Sequence, residues 1–217
     1  METKLYVLKK DQLLTKELYQ ISKVNKIRNY ESIYSKALLI FILNQYYKVD
    51  VESIKLFTND YGKPYLFGEN NIYFNITHSG DYIVCAISDK EIGVDLQYKN
   101  IFEYERLVKR FFSLEERKRI KSLDIFYEVW SKKEAYLKYL GIGLVKGLDF
   151  FSIYDELNKD YEYKFYNYSH YVFALYSPKK YRYDTVVLST KKINQYLTSK
   201  KIKFIINLER KMKNGRI

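Results

Sequence analysis

The sequence has little of several residue types, and each shortage excludes a class of protein. Cys85 is the only cysteine among 217 residues, so the chain forms no internal disulfide and we expect a reducing, cytoplasmic location. The longest clear apolar run, 37–43, falls far short of the roughly 20 residues of a membrane-spanning helix. Residues 1–11 are charged and patterned, so we expect no signal peptide. These shortages together argue against a secreted or membrane-embedded protein.

Positive charge is in excess, with a formal net charge of +12 from 38 basic and 26 acidic residues. Such a chain attracts polyanions, but the charge alone leaves nucleic acid, anionic lipid, a phosphate-rich cofactor and an acidic protein open. A nucleic-acid-binding protein would need a basic groove with stacking aromatics. The aromatic residues here are spread along the whole chain and no RNA or DNA motif is present. We therefore expect no nucleic-acid partner.

Periodicity and turn residues predict both helices and strands, which favours an α+β architecture. Helices are predicted over 31–47 and 128–139, the second ending at Gly141, and Ser113 with Glu116 forms a capping box that opens a third. A turn is predicted at 61–64, and a hairpin at 78–81 joins the first two strands. The predicted strands are 73–77, 83–88, 92–96, 172–177, 185–189 and 202–208. The basic end, 209–217, is predicted to be frayed.

Polar residues of catalytic type occur in three short segments. Trp130, Glu134 and Lys138 are spaced four residues apart and so share one face of the predicted helix, although such an acid–lysine pair is also a common surface pair. Asp95 and Gln97 share one face of a predicted strand, where their oxygens could hold a hard cation such as Mg²⁺ or simply satisfy a turn. The predicted hairpin 75–81 offers hydroxyls, an imidazole and backbone N–H groups that suit a phosphate.

The order of these segments resembles one enzyme family. A Gly-Lys-Pro turn is followed by Asn-Ile-Thr-His-Ser, then Gly-Val-Asp, then Trp-Ser-x-Lys-Glu-Ala-x-x-Lys. This order is similar to that of the surfactin-synthetase-activating (Sfp) type of 4′-phosphopantetheinyl transferase, and the resemblance runs from about residue 20 to about residue 175. It implies two similar α+β halves, here 1–98 and 99–217, related by a pseudo-two-fold axis with the active site in the cleft between them.

The resemblance also implies roles for individual residues. Asp95 and Glu134 match the metal-binding carboxylates of the family, and Gln97 stands where many members have a third ligand, a glutamate. Glu134 also matches the proposed general base, and Lys138 matches a lysine at the reacting phosphate.

Five further positions match residues that hold coenzyme A. Lys63, Thr77 and His78 correspond to residues at its phosphates. Lys36 and Arg28 fall, by a looser alignment, where the family places basic residues for the nucleotide.

The implied reaction is magnesium-dependent transfer of phosphopantetheine from coenzyme A to a serine of an apo acyl or peptidyl carrier protein, with release of 3′,5′-ADP. Phosphoryl transfer needs positioning and charge neutralisation, which these residue types supply. The excess of positive charge suits both the polyanionic coenzyme and an acidic carrier. A monomer is expected, since one chain would supply the whole cleft.

Two departures from the family pattern leave an alternative open. Gln97 gives a metal less charge than a glutamate would, which predicts weaker Mg²⁺ affinity, and Ile142 replaces a frequent basic residue. The alternative is a relative that binds coenzyme A with weak or no transferase activity. The sequence names neither the carrier nor a specificity code, although contacts are expected around 98–112.

Overall fold

The computed structural model describes residues 2–10, 30–68, 71–143, 148–155 and 157–197. Within that part the elements follow in chain order as β1 (Glu2–Lys9), α1 (Tyr30–Tyr46), β2 (Leu56–Thr58), β3 (Pro64–Leu66), β4 (Tyr73–Ser79), β5 (Tyr82–Ser88), β6 (Gly93–Tyr98), α2 (Glu105–Phe111), α3 (Leu114–Arg119), α4 (Leu123–Leu140), β7 (Tyr161–Tyr168), β8 (Tyr171–Pro178), β9 (Arg182–Leu188) and α5 (Thr190–Leu197). No helix in these ranges is both long enough and apolar enough to cross a membrane.

The first sheet has the strand order β4-β5-β1-β9. Strand β1 lies inside it, antiparallel to β5 and parallel to β9, so that Leu5 pairs with Ala86 on one side and with Thr185 on the other. Tyr6 and Leu8 point to the face that packs against α1 and α5, where most of the larger apolar core lies. Because both faces of β1 are covered, it has an unbroken apolar run instead of a simple alternation.

The second sheet has the order β6-β8-β7, with all pairs antiparallel. Helix α4 packs on one face, where Ala135 meets Ala174 and Tyr176 of β8. A second apolar cluster, which includes Phe112, Phe126 and Val129, joins α4 to α2 and the segment after it. Strands β2 and β3 form a separate small hairpin.

The two sheets are joined by side chains that take the place of strand pairing. The side chains of three alternate residues of β4 accept hydrogen bonds from three alternate backbone N–H groups of β6, and we call this set the β4–β6 ladder. Asn75, Thr77 and Ser79 accept from Val94, Leu96 and Tyr98 at 3.0, 3.1 and 2.8 Å. Since polar groups on alternate residues share one face of a strand, β4 presents a row of acceptors to β6.

Most predicted elements are confirmed, including the α+β architecture. Ser113 and Glu116 make both hydrogen bonds of the capping box, and Gly141 ends α4 in the left-handed conformation with φ of 71°. Strand β4 continues through His78 and Ser79, so the hairpin turn is only Gly80 and Asp81 instead of the four residues expected. Helix α4 begins five residues earlier than predicted, where the side chain of Ser122 caps it.

Some predictions are not tested by the described helices and strands. The predicted strand 202–208 and the basic end 209–217 lie outside the described residues. Strand β6 pairs with β8, and β9 pairs with β1, so strands on both sides of residue 98 share each sheet. The division into halves at 98 and the pseudo-two-fold relation stay predictions.

Candidate functional site

Strand β6 lies unusually close to α4 because Gly93 has no side chain. A Cβ atom at this position would lie 1.8 Å from the carbonyl oxygen of Ala135, a distance that no side chain tolerates. A glycine inside a strand commonly marks such a close approach of two backbone segments. The contact brings the Asp95 side of β6 against the helix that carries Glu134 and Lys138.

Lys138 joins its own helix, α4, to both β6 and β4. Its Nζ lies 2.7 Å from Oδ1 of Asp95 and donates a hydrogen bond of 3.1 Å to Oγ1 of Thr77. The other oxygen of Asp95 accepts a 2.9 Å hydrogen bond from the amide of Gln97. Asp95 is only 2% exposed, so these two bonds compensate for the water that the carboxylate has lost.

Glu134 lies one helical turn before Lys138 and is half-buried. Burial raises the pKa of its carboxyl from 4.5 to about 7; the negative charge of Asp95 adds to the rise and the positive charge of Lys138 opposes it. Within the described ranges its carboxylate takes part in no ion pair. A carboxylate with a pKa close to neutral pH is suited to accept a proton from a substrate hydroxyl.

The donor set fits a magnesium ion that is shared with a substrate. The part of the chain that the structure describes has no group of three or more His, Cys, Asp or Glu side chains placed to hold a metal ion by themselves. Mg²⁺ is usually held by one or two carboxylates, with waters and substrate phosphates completing its shell. Asp95 and Glu134 are close enough for the charge of one to raise the pKa of the other, and a cation between them would relieve that repulsion.

Thr77 has a structural role that the sequence did not indicate. Its Oγ1 accepts hydrogen bonds from the Leu96 N–H and from Lys138, at 3.1 Å each. A hydroxyl has two acceptor sites and one hydrogen, so the hydrogen remains as the group that Thr77 can donate to a phosphate. Thr77 thus belongs to the cluster of Asp95, Gln97, Glu134 and Lys138.

Lys63 lies at the C-terminal end of α4. Its ammonium group is 2.7 Å from Oε2 of Glu91 and donates a 2.9 Å hydrogen bond to the carbonyl of Tyr139. The side chain is buried, and this burial lowers the pKa of Lys63. Asn59 also bonds to this end of α4, because its side chain donates a 2.7 Å hydrogen bond to the Gly141 carbonyl.

The other predicted coenzyme-binding residues are more peripheral. His78 is exposed on β4 and, by the alternation of the strand, points away from the side that carries Thr77. Lys36 is half-buried on α1. Arg28 lies outside the described residues. Ile142, which replaces a frequent basic residue of the family, packs against the apolar cluster around Phe126.

Lys133 belongs to the interior of the protein, although its neighbour Glu134 belongs to the site. Its ammonium group and the Glu116 carboxylate form a 2.8 Å ion pair in which both side chains are fully buried. The Glu116 carboxylate also accepts from the backbone N–H groups of Ser113 and Ile153, at 2.9 Å each. The pair therefore joins α4, α3 and the 148–155 segment beneath the site.

Several residues that position the site were not predicted from the sequence. Asn75 and Ser79 belong to the segment 75–81, for which a phosphate-binding role was predicted. Their alternation with Thr77 indicates that the three side chains share one face of β4. Gly93 was read only as part of a motif. Nothing in the sequence indicates that Lys133 pairs with Glu116.

Two family models match the chain, and they meet at residue 91. Residues 4–90 match the model described as "4′-phosphopantetheinyl transferase, N-terminal", and residues 91–191 match that of the "4′-phosphopantetheinyl transferase superfamily". Together they cover residues 4–191, from within β1 to just beyond the end of β9.

Curated relatives carry the same description. The chain is 32% identical over 130 residues to the 4′-phosphopantetheinyl transferase Sfp of Bacillus subtilis strain 168, a match that covers 57% of this chain and 58% of that protein. A second Bacillus subtilis 4′-phosphopantetheinyl transferase is 38% identical over 113 residues, covering 49% of this chain and 50% of the relative. The 4′-phosphopantetheinyl transferase HetI of Nostoc is 36% identical over 122 residues, covering 51% and 52%. The chain thus spans about half the length of the curated relatives it matches.

Proposed function

Because the chain belongs to the 4′-phosphopantetheinyl transferase superfamily, we propose that it transfers the phosphopantetheine arm of coenzyme A to a serine of an apo acyl or peptidyl carrier protein. The observation that carries the proposal is the cluster of Asp95, Glu134 and Lys138. It combines a carboxylate suited to act as a base, a buried carboxylate and a fixed positive charge within one small region.

Glu134 acts as the general base in this reaction. The carrier serine attacks the β-phosphorus of coenzyme A, a new P–O bond forms, and the bond to the leaving 3′,5′-ADP breaks. The serine proton passes to Glu134, directly or through one water. General-base catalysis of this kind typically contributes about 10²–10⁴-fold in rate.

Lys138 neutralises charge on the pyrophosphate. Thr77 and Asp95 hold its ammonium group at 3.1 and 2.7 Å, so little reorganisation is needed when the phosphates arrive. Fixed donors of this kind stabilise the charge that develops on the transferring and leaving oxygens.

Mg²⁺ would be held by Asp95 and Glu134, with the side-chain oxygen of Gln97 as a weaker third donor. When bound, the ion neutralises pyrophosphate charge and orients the leaving group. The hydroxyl hydrogen of Thr77 provides a further contact to the pyrophosphate, and His78, on the other side of β4, contacts another phosphate of the coenzyme. Lys36 and Arg28 provide positive potential around the nucleotide, and Lys63 would contact a phosphate of the coenzyme by exchanging its ion pair with Glu91.

The reaction is proposed to take place in the cytoplasm, where the single, buried and unpaired Cys85 would stay reduced. The enzyme acts as a monomer, since every residue of the cluster comes from one chain. The net charge of +12 favours encounter with a polyanionic coenzyme and an acidic carrier.

The test is the intact mass of several unrelated apo carrier proteins after incubation with the protein, coenzyme A and Mg²⁺. We expect a mass increase of one phosphopantetheine, lost in EDTA and strongly reduced in Glu134→Ala. Glu128→Ala is the matched control, because Glu128 lies on the same helix and, among the residues that the structure describes, forms an ion pair only with Lys132 one turn further on. No increase with any carrier, despite measurable binding of coenzyme A, would refute the transferase and favour an inactive coenzyme A-binding relative.

Gln97 provides a second test of the same site. Gln97→Glu adds a carboxylate beside Asp95 and should lower the Mg²⁺ concentration needed for half-maximal activity. An unchanged Mg²⁺ requirement would show that this side chain does not ligate the ion and serves only to hold Asp95 through its 2.9 Å hydrogen bond.

A further inference from the structure

The two sheets close on each other at one end and separate at the other. At the closed end Leu5 and Ala86 of the first sheet pack against Val94 and Leu175 of the second. Beyond this cluster the facing strands leave a cleft of about 490 Å³. A volume in this range is typical of sites that bind small molecules.

The inner walls of the cleft are apolar and come from both sheets. Val84 and Leu5 line one side, and Leu96 and Phe173 line the other. None of the described residues that line the cleft is charged, although the chain as a whole is strongly basic. An anion that entered would therefore lose its water without gaining an ionic partner.

The mouth of the cleft is surrounded by tyrosines that touch one another. The rings of Tyr82 and Tyr171 meet edge to face with centroids 5.1 Å apart. Tyr166 of β7 and Tyr183 of β9 join their hydroxyls across the mouth, one from each sheet. These contacts orient the rings before any ligand arrives, and they place hydroxyl groups beside an apolar interior.

We propose that this cleft binds a small, uncharged molecule that carries an aromatic ring. Tyrosine and phenylalanine rings favour stacked or edge-to-face contacts with another ring, and the hydroxyls at the mouth can bond one or two polar substituents. A preformed apolar interior with a few polar groups at its edge is the usual form of such a site.

The cleft is separate from the proposed transferase site. Leu96 lines the cleft, whereas Asp95 and Gln97 on either side of it point to the opposite face of β6. The cleft therefore does not hold the phosphates of coenzyme A, and the inference goes beyond the proposed function.

The test is fluorescence titration of the full chain with N-phenyl-1-naphthylamine, an uncharged ring compound that becomes fluorescent in apolar surroundings. We expect saturable binding at one site. Thr185→Phe, which fills the cleft from β9, should weaken binding by about tenfold or more. Leu114→Phe is the control, because Leu114 lies on α3, is 74% exposed and does not line the cleft. Its affinity should stay within about twofold of the original chain.

Two results would overturn the proposal. One is the absence of saturable binding by the full chain, which is also the result if another part of the chain fills the cleft. The other is equal affinity in Thr185→Phe and in Leu114→Phe, which would place the probe elsewhere. Val7→Phe fills the cleft from β1 and replaces Thr185→Phe if circular dichroism shows that variant to be misfolded. Since no arm of the test measures transfer, its outcome is independent of the proposed enzyme activity.

Discussion

Lys133→Met should lower the free energy of unfolding by about 3–5 kcal/mol, the usual cost of leaving one member of a buried ion pair alone. Both side chains of the pair with Glu116 are fully buried, and Nζ also lies 4.0 Å from the ring centroid of Phe151. Methionine keeps most of the volume of lysine, so the expected loss comes not from a cavity but from the uncompensated Glu116 carboxylate and, as a smaller part, from the Phe151 carbonyl, which loses the hydrogen bond that Lys133 donates. Two backbone N–H groups still reach that carboxylate, which favours the lower part of the range.

Lys132 provides a matched control one residue earlier on the same helix. It pairs with Glu128 at the surface, with side chains 18% and 39% exposed. A helical surface pair of this spacing contributes about 0.3–0.5 kcal/mol, so Lys132→Met should lose no more than about 1 kcal/mol. Urea unfolding followed by Trp130 fluorescence measures both variants, and equal slopes would show that the midpoints report stability alone.

A third variant separates the buried charge from other effects of the substitution. Lys133→Met combined with Glu116→Gln removes both charges, and it should recover at least about half of the loss because no buried carboxylate is left unpaired. If the two lysine variants unfold within about 0.5 kcal/mol of each other, the assignment of Lys133 to a buried ion pair is wrong. The same conclusion follows if the double variant is no more stable than Lys133→Met.

Three further predictions concern the site itself. Gly93→Ala should lower the free energy of unfolding by about 1–3 kcal/mol and the rate of transfer by about 100-fold. The reason is that a Cβ atom 1.8 Å from the Ala135 carbonyl oxygen forces β6 away from α4. An active variant of normal stability would contradict this. In EDTA, the free energy of unfolding of the original chain minus that of Glu134→Gln should fall by up to about 3 kcal/mol as pH rises from 4.5 to 7. The folded state binds the Glu134 proton more tightly than the unfolded state does, so removing that proton costs stability. A difference between the two variants that does not depend on pH would contradict the raised pKa. Thr77→Val should lower kcat more than it raises KM, because Lys138 loses its hydroxyl support, while Thr77→Ser should restore both. Loss of coenzyme A affinity with an unchanged kcat would show that Thr77 acts through its phosphate contact and not through Lys138.

The sequence predicted the elements that have sharp local signals and missed those that depend on partners. The capping box at Ser113 and the glycine at 141 were found because each acts on its own helix end. Strand β1 was missed because it is covered on both faces, so its apolar run lacks the alternation of a half-buried strand. In β7 the alternation of Tyr161, Tyr163 and Phe165 was a readable signal that was overlooked.

The central residues of the site were predicted from the sequence, but most of the contacts that hold them in place were not. Asp95, Glu134 and Lys138 were singled out through family resemblance, and the structure brings them together with Thr77 and Gln97. The bond from Lys138 to Thr77 joins residues 61 positions apart, and no local pattern encodes such a distance. Whether these residues perform the assigned roles stays a prediction.

The pairing of β1 with both β5 and β9 has a consequence for folding during synthesis. Strand β5 is complete at Ser88, so its pairing with β1 can form before half of the chain has been made, but Leu5 waits for Thr185 until almost the whole chain is present. Until then the other edge of β1 presents unpaired N–H and C=O groups in an apolar strand, which is a template for pairing between chains. A transcript that stops before residue 182 therefore yields a protein whose first strand is open to aggregation, however well the rest has folded.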